Sequence, residues 1–194
     1  MVRKEKKSKS GVILAFIIAF VMVGSILGIV SSDRQQSQFK YKDIKFKQDQ
    51  LNNVWYTTIN NQKVIFNYLP QDVEQIELTP DITTLLLNKP EIDTTSKIND
   101  TFYEEIALAQ YNMALTLNSL NLYIRQGFTA NNTFNLPILT CKEATMAVPI
   151  IYFQQSNQTK ITLENNCIIA EARNNMDILR LKDRLLYSIL GIIR

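Results

Sequence analysis

The longest uninterrupted apolar pattern in the chain covers residues 11–30 and contains no charged residue. A helix of roughly 20 apolar residues spans a hydrocarbon core about 30 Å thick. That core has no water to satisfy backbone groups, so a helix is the expected form. The pattern predicts a transmembrane helix over residues 11–31, a preceding tail of residues 1–10 and a linker of residues 32–38.

The tail is basic, which predicts the orientation of the helix. One acid, Glu5, stands among five basic residues: Arg3, Lys4, Lys6, Lys7 and Lys9. Such clusters stay on the cytoplasmic side. We therefore expect a cytoplasmic N-terminus, the lipid bilayer as a partner, and an extracytoplasmic domain over residues 39–194. A cleaved signal peptide is the alternative, although its apolar region is shorter, roughly 7–15 residues.

Gly24 and Gly28 form a GxxxG pair inside the apolar run. This spacing can let two membrane helices approach closely. The same spacing also arises often by chance in membrane helices rich in small residues, so we expect an unpaired anchor, with a homodimer through the helix as the alternative.

Beyond residue 38 the pattern changes to short alternating segments. Residues 54–59 and 63–69 flank Asn60-Asn61-Gln62, and asparagine tolerates the positive φ that tight hairpins need. A hairpin is predicted there, with five side chains on its inward face: Trp55, Ile59, Val64, Phe66 and Tyr68. Further strands are predicted at residues 39–46, 81–87, 120–124 and 167–170, a loop at 89–100, and a second hairpin from 148–153 and 160–163.

Two segments carry apolar residues at helical spacing. The first follows the capping-box sequence Thr101–Glu104 and extends to about Ser119, and the second covers residues 176–190. The charged residues of the second helix are predicted to face mostly water: Arg180, Lys182, Asp183 and Arg184. The alternation of strand and helix patterns along the chain predicts an α/β or α+β fold, with one mixed sheet and two main helices.

The last third of the chain carries three short sequences: Asn166-Cys167-Ile168-Ile169, Asp183-Arg184-Leu185-Leu186-Tyr187 and Leu190-Gly191-Ile192. This part resembles a family of small archaeal membrane-anchored proteins without an assigned function. The resemblance implies an archaeal cell envelope, and it transfers no functional residue to this chain.

Charge argues against nucleic acid as a partner. The net charge is +3, and the tail contributes +4 from five basic residues and one acid, which leaves −1 for the remainder. A nearly neutral domain lacks the concentrated basic face that phosphate binding needs.

The composition excludes several kinds of catalytic site. The chain has no histidine, which removes Ser–His and Cys–His pairs and histidine metal ligands. Five glycines, three of them in the apolar run, cannot build a glycine-rich phosphate loop. No cofactor or metal is therefore predicted. A hydrolase that uses two carboxylates stays open, with five acids available: Asp43, Asp81, Glu91, Asp93 and Glu143.

Cys141 and Cys167 are the two cysteines, and both lie on the predicted outer side. A single disulfide is the simplest prediction for an oxidising compartment, and two buried free thiols are the alternative. Three glycosylation sequons begin at Asn99, Asn131 and Asn157, and at least one is expected to carry glycan if the host glycosylates its envelope.

Two hypotheses about function follow. The first is a non-catalytic envelope protein that displays a binding domain and engages another envelope protein. The second is a membrane-tethered hydrolase that uses carboxylates. A cleft with converging acids would favour the hydrolase, and an exposed apolar patch would favour the binding module.

Overall fold

The computed structural model describes residues 17–22 and 37–193. The chain divides into two units, Met1–Ser37 and Gln38–Arg194. Residues 17–22 are helical, with exposed side chains, and are labelled α1. Within the described residues, no helix combines the length and the apolar character needed to cross a bilayer. The rest of the predicted membrane helix, with Gly24 and Gly28, lies outside the described residues, so the anchor and its pairing stay predictions.

The second unit begins with a four-stranded antiparallel sheet. Its strands follow one another in chain order: β1 (Gln38–Tyr41), β2 (Ile44–Asp49), β3 (Val54–Ile59) and β4 (Gln62–Phe66). The hairpin predicted at Asn60-Asn61 is confirmed, since both asparagines have positive φ and Ile59 pairs with Gln62. The single strand predicted over residues 39–46 is wrong. Lys42 adopts a φ of 53° and turns the chain back, so this segment forms two antiparallel strands, β1 and β2.

A five-stranded mixed sheet forms the rest of the unit. Its strands are β5 (Glu91–Ser96), β6 (Tyr123–Phe128), β7 (Ile150–Gln155), β8 (Lys160–Glu164) and β9 (Cys167–Ala172), in the order β6-β5-β7-β9-β8. All neighbours are parallel except β8, which runs antiparallel to β9 at one edge. The expected mixed α+β class is confirmed, although the strands form two sheets and not one.

Strand β5 occupies the place where a loop was predicted. Its polar sequence suggested exposure, yet Asp93, Thr94, Thr95 and Ser96 are all buried between β6 and β7. Two of these side chains find partners inside the protein. Arg125 donates two hydrogen bonds to Asp93, at 2.9 and 2.6 Å, and Thr95 donates one to the Leu139 carbonyl. Internal partners of this kind make polar side chains compatible with a central strand.

The strand predicted over residues 81–87 is a helix, α3 (Pro80–Leu86), which follows the short helix α2 (Pro70–Val73). Pro80 stands in the first turn, where its missing N–H costs no hydrogen bond. The buried residues Ile82, Leu85 and Leu86 have helical spacing. A short apolar run does not by itself distinguish a strand from a buried helix.

The second predicted hairpin is also wrong, because β7 and β8 do not pair with each other. Strand β9 lies between them, parallel to β7 and antiparallel to β8. The tight turn instead joins β8 to β9, where Asn165 has a φ of 57°.

Two long helices, α4 (Tyr103–Asn118) and α5 (Asn175–Ile189), cover one face of the five-stranded sheet. Both were predicted at these places. Helix α5 also contacts the first sheet, since Tyr187 stacks on Phe66 with ring centroids 4.3 Å apart and meets Phe46 edge-on. One core therefore joins both sheets through α5.

The charged residues of α5 correct the prediction that they mostly face water. Lys182, Asp183 and Arg184 are buried, and only Arg180 is partly exposed. Asp183 Oδ2 accepts hydrogen bonds from the backbone N–H groups of Asn67 and Tyr68, both at 2.8 Å. Lys182 pairs with Asp183 and also donates to Asn67 Oδ1. Burial raises the pKa of Asp183, and the Lys182 ammonium opposes that shift.

The disulfide between Cys141 and Cys167 is confirmed, with the two Cα atoms 5.2 Å apart. Cys167 opens β9 beside Ile150, and Cys141 belongs to the segment that crosses from β6 to β7. The bond fixes this segment to the sheet face opposite α4 and α5, next to Ile150, Ile169 and Tyr152.

Candidate functional site: the crevice at the carboxyl ends of β5 and β6

The sheet topology creates a crevice where β5 and β6 end. The connection from β5 through α4 leads to β6 on one side, whereas the next crossing leads to β7 on the other side of β5. In open α/β sheets, ligands bind outside the carboxyl ends of strands where the direction of crossing changes. The last residues of β5 and β6, Ser96 and Phe128, both line the crevice.

The crevice has a volume of about 850 Å³, within the usual range for ligand sites. Its apolar wall consists of Ile98, Tyr103, Ala107, Phe128, Phe134 and Leu136. Its polar wall consists of Ser96, Asn99, Asp100, Thr101, Gln110 and Thr133. The arrangement is that of an apolar ligand site with a few polar groups.

The side chain of Asn132 fixes the backbone that carries Phe134 and Leu136, two residues of the apolar wall. Asn132 Oδ1 accepts hydrogen bonds from the backbone N–H groups of Phe134 and Leu136, and Asn132 Nδ2 donates to the Leu136 carbonyl. The aromatic ring of Phe134 lies 5.9 Å from that of Phe128, measured between centroids. Phe134 is 66% exposed, so it presents apolar surface at the mouth of the crevice.

A glycine lets the crossing segment approach the sheet. A Cβ at Gly127 of β6 would lie 2.5 Å from the Pro137 carbonyl oxygen and 2.7 Å from the Leu139 side chain. The close approach also permits the backbone bonds that join Phe128 to Pro137 and Leu139. Gly127 thereby helps to position the wall that carries Phe134 and Leu136.

Gln110 of α4 supplies a polar group without a partner. The side chain is 5% exposed, and its Nε2 has no hydrogen-bond partner among the described residues. A buried donor left unsatisfied costs about 1–3 kcal/mol, and native proteins rarely keep one without a reason. Gln110 lines the crevice, but this nitrogen is itself closed off from solvent and lies within the wall.

Asp100, by contrast, is occupied by structural bonds. One carboxylate oxygen accepts from the Phe102 N–H at 3.0 Å, and the other accepts from the Gln155 N–H at 3.1 Å. The bonds connect the start of α4 to the end of β7. They replace the predicted capping box, because the N-cap residue of α4 is Phe102 and makes no side-chain cap.

An exposed apolar row continues from the crevice along α4. Tyr103, Ala107, Tyr111 and Leu115 recur every fourth residue, so they lie above one another on one side of the helix. Tyr103, Tyr111 and Leu115 are each more than half exposed, and Leu108 beside them is 46% exposed. Exposed apolar patches of this kind mark interaction surfaces.

A second cavity of about 930 Å³ lies at the start of α5. Three of its five charged lining residues, Lys160, Asp177 and Arg180, form ion pairs. Lys160 bonds Glu171, and Asp177 accepts hydrogen bonds from Asn174 and Thr159. Arg180 keeps an unpartnered Nε, but the side chain is 42% exposed and already contacts Asp177. This cavity offers weaker grounds for a ligand site than the crevice.

The five acids considered for a hydrolase do not converge in the crevice. Glu91 and Asp93 come together, but both contact Arg125. Glu143 accepts two hydrogen bonds from Thr140, which lower the pKa of its carboxyl. Asp43 and Asp81 are exposed. No group of three metal-ligating side chains occurs among the described residues.

The three sequon asparagines, Asn99, Asn131 and Asn157, are exposed and lie outside the helices and strands. Asn99 lines the crevice, and Asn157 lines the second cavity. Glycosylation stays a prediction.

The sequence patterns did not point to the crevice, because its walls come from segments far apart in the chain. Gln110 looked like an ordinary residue of a helix. The run of Asn131, Asn132 and Asn135 around Phe134 was the available signal for a built loop. Comparison of the chain with protein-family models, with curated proteins and with solved structures finds no match, so it gives the archaeal resemblance no support.

Proposed function

We propose that this chain is a membrane-anchored extracytoplasmic binding module whose ligand or partner docks at the crevice. The observation that carries the proposal is the apolar crevice at the carboxyl ends of β5 and β6, which continues through Tyr103 into the exposed apolar row on α4. The site combines apolar area for affinity with polar side chains, among them Asn99 and Thr133, for orientation, as binding sites generally do.

The exposed row on α4 supports an envelope partner of some size. Tyr103 belongs to both the crevice and the row, so apolar surface continues from one to the other. Tyrosine contributes large contact area and is common at the centres of interfaces. Another envelope protein that fills the crevice would also cover Tyr111 and Leu115.

The described acids favour a binding role over a carboxylate hydrolase. Retaining and inverting glycosidases need two carboxyl groups that face each other across a substrate. In the crevice the lining carboxylate is Asp100, and backbone groups already occupy both of its oxygens. Glu91 and Asp93 instead form ion pairs with Arg125, nearer the amino end of β5 than the crevice.

The outer location rests on the uncharged run of residues 11–30 and on the basic tail before it. The disulfide agrees with an oxidising compartment. A tether of this kind would keep the binding domain within a short linker of the bilayer.

Site-specific photo-crosslinking of the full chain in native membranes tests the proposal. A photoreactive phenylalanine analogue replaces Phe134 at the mouth of the crevice, and the control places it at Leu51, which is 84% exposed on the β2–β3 turn. We expect a discrete adduct at position 134 that disappears when Leu136 is changed to Asp. Equal labelling at both positions, or no adduct at position 134, would contradict a binding role for the crevice.

A further inference from the structure

The outer face of α4 lacks the charged residues that a solvent-exposed helix usually carries. Glu104 and Glu105 stand in the first turn, and residues 106–118 contain no charged side chain. Apolar residues lie both on the inner face of the helix, which packs on the core, and on the outer face, which carries the exposed row. A helix that is apolar all round is normally buried. The outer face of α4 is therefore suited to contact with another surface.

The exposed apolar surface extends from α4 to the mouth of the crevice. Tyr103, Tyr111 and Phe134 are each more than half exposed, and Leu108 and Leu115 add aliphatic surface. An aromatic side chain offers roughly 150–250 Å² for burial, so each of these three exposes on the order of 100 Å². That is enough for the apolar centre of an interface of about 800 Å² per partner, the usual size in a stable complex.

The charge of this surface narrows the choice of partner. Neither the crevice lining nor α4 contains a lysine or arginine, whereas helices that lie on membranes are rich in both. A strongly charged protein would find few opposite charges on α4 beyond its first turn. A second copy of the chain presents the same uncharged face, so two such faces can meet without leaving charges unpaired.

The order of side chains along the exposed row is complementary to itself. Tyr103, Ala107, Tyr111 and Leu115 follow at intervals of four, and rows of this kind pack into the grooves of a facing helix. If two α4 helices pack antiparallel about a two-fold axis between Ala107 and Tyr111, each Tyr111 lies opposite Ala107 of the other copy. Each Tyr103 then lies opposite Leu115, so every tyrosine meets a smaller side chain, as a symmetric interface requires.

Charge favours the antiparallel arrangement over the parallel one. A parallel pair would place Glu104 of one copy beside Glu104 of the other, and like charges in contact are destabilising. In the antiparallel pair Glu104 lies opposite Ala114 of the other copy, about 15 Å along the helix axis from the other Glu104 at 1.5 Å per residue. That separation exceeds the screening length of about 8 Å at physiological salt.

We infer that the partner of this module is a second copy of the chain, bound through antiparallel packing of the two α4 helices. The inference rests on the proposed binding role of the crevice and names the partner. Tyr103 belongs to both the row and the crevice, so Leu115 of the second copy contacts the crevice wall there. This interface is separate from any pairing of membrane helices through Gly24 and Gly28.

Photo-crosslinking between two differently tagged full-length copies in the same membrane tests the partner. A photoreactive phenylalanine analogue replaces Tyr111 in the first copy, and the second copy keeps the native sequence. We expect a discrete adduct that carries both tags and has the mass of two chains. The control places the analogue at Leu51 on the exposed β2–β3 turn, where no such adduct should form.

The variant Leu115→Glu, made in both copies, assigns the contact to α4. Leu115 is more than half exposed, so the fold should persist, which circular dichroism checks. A carboxylate against the Tyr103 ring should lower the adduct yield at least about tenfold, as changes at interface hot spots do. Leu51→Glu is the matched control and should leave the yield unchanged. Replacing both Gly24 and Gly28 with Leu should also leave it unchanged.

Opposite charges test the antiparallel register. Leu115→Glu in one copy and Tyr103→Lys in the other place the two charges opposite each other, so the adduct should return. Leu115→Glu combined with Leu115→Lys should not restore it, because these two positions lie about 18 Å apart along the axis of an antiparallel pair. Recovery in the second combination, or in neither, would overturn the antiparallel packing.

Further outcomes separate this inference from the proposed function. An adduct at position 111 with lipid or with a different protein, or no adduct there while position 134 still gives one, would exclude the second copy and leave the crevice as a binding site. An adduct of two copies that persists in Leu115→Glu, but is lost when Gly24 and Gly28 are changed, would assign the contact to the membrane helix. No adduct at either position 111 or position 134 would remove both the partner and the binding role.

Discussion

At the scale of single residues, the buried charges of α5 decide how this helix is held. Asp183 is fully buried, accepts two backbone hydrogen bonds from the end of β4 and pairs with Lys182. These contacts satisfy the N–H groups of Asn67 and Tyr68 where the first sheet ends. Charged residues normally stay exposed unless such partners exist.

Replacing Asp183 with Ala should lower the free energy of unfolding by about 3–5 kcal/mol, because Lys182 would then be a buried, unpaired charge. Asp43→Ala is the matched control, since Asp43 is fully exposed and its contact with Lys40 is 4.0 Å long. The control should change stability by less than about 1 kcal/mol. Denaturant unfolding of the full chain measures both, and similar losses in the two variants would refute the role of Asp183.

Tyr187 should make the protein sensitive to alkali. Burial, and then the nearby Asp183, raise the pKa of Tyr187 well above its ordinary value of 10.0. The folded phenol therefore stays protonated where the unfolded phenol ionises. Its contribution to stability is complete below pH ~10 and falls as the pH rises further, by up to about 1.4 kcal/mol per pH unit.

In Tyr187→Phe this loss above pH ~10 should be shallower. Stability at pH 7 should also fall by about 1 kcal/mol, because the 2.6 Å hydrogen bond to the Tyr68 carbonyl is removed. Unfolding curves recorded at several pH values between 7 and 11 compare the variant with the native chain, and Tyr111→Phe at an exposed tyrosine is the control. An unchanged slope in Tyr187→Phe would contradict the assignment.

At the scale of elements, the crossing segment between β6 and β7 joins the disulfide to the crevice. It leaves β6 through Phe128, contributes Phe134 and Leu136 to the wall, and reaches Cys141. Gly127 lets this segment lie close to β6. A change at Gly127 should therefore affect both folding and the crevice.

Gly127→Ala should cost about 1–3 kcal/mol, since the added methyl group overlaps the Pro137 carbonyl oxygen. Gly191→Ala provides a comparison, because that Cβ meets nothing within 4 Å and the cost arises only from a φ of 68°. We expect about 1 kcal/mol there. Thermal unfolding ranks the variants, and a Gly127→Ala protein as stable as the native chain would show that the segment moves away freely.

At the scale of the whole molecule, the disulfide joins distant segments of the domain, and the membrane anchor is a prediction. The bond closes 26 positions of sequence and fixes the crossing segment to β9. Helix α5 joins the two sheets through one core. The apolar run before the domain is predicted to hold this unit at the membrane.

Replacing both Cys141 and Cys167 with Ala should lower stability by about 3 kcal/mol in the chain-entropy account of disulfides. Unfolding with and without reductant provides the measurement. The native chain should lose stability when reductant is added, and the double variant should be insensitive to it. Equal stability of the native chain and the double variant would exclude a stabilising role for the bond.

The predicted topology places residue 194 outside the cytoplasm. A reporter that is active only after export, fused behind this residue, should be active, and a reporter that needs the cytoplasm should be inactive. N-terminal sequencing of the mature protein complements the fusion, because removal of residues 1–32 would replace the anchor with a cleaved signal peptide. Activity of the cytoplasmic reporter would reverse the orientation.

Several features followed from the sequence because they depend on neighbours in the chain. Asn60 and Asn61 specify the hairpin, since both adopt the positive φ that the turn requires. Apolar residues at helical spacing specify α4 and α5. The pairing of Cys141 with Cys167 followed from having two cysteines in a predicted oxidising compartment.

The tertiary structure decided the rest, because distant segments determine which polar groups find partners. The polar strand β5 is central because Arg125 and the Leu139 carbonyl satisfy Asp93 and Thr95. Strand β9 lies between β7 and β8, an order in the sheet that differs from the order of the strands along the chain. The crevice around Gln110 exists only where α4, the ends of β5 and β6 and the crossing segment meet, a conjunction that no local pattern encodes.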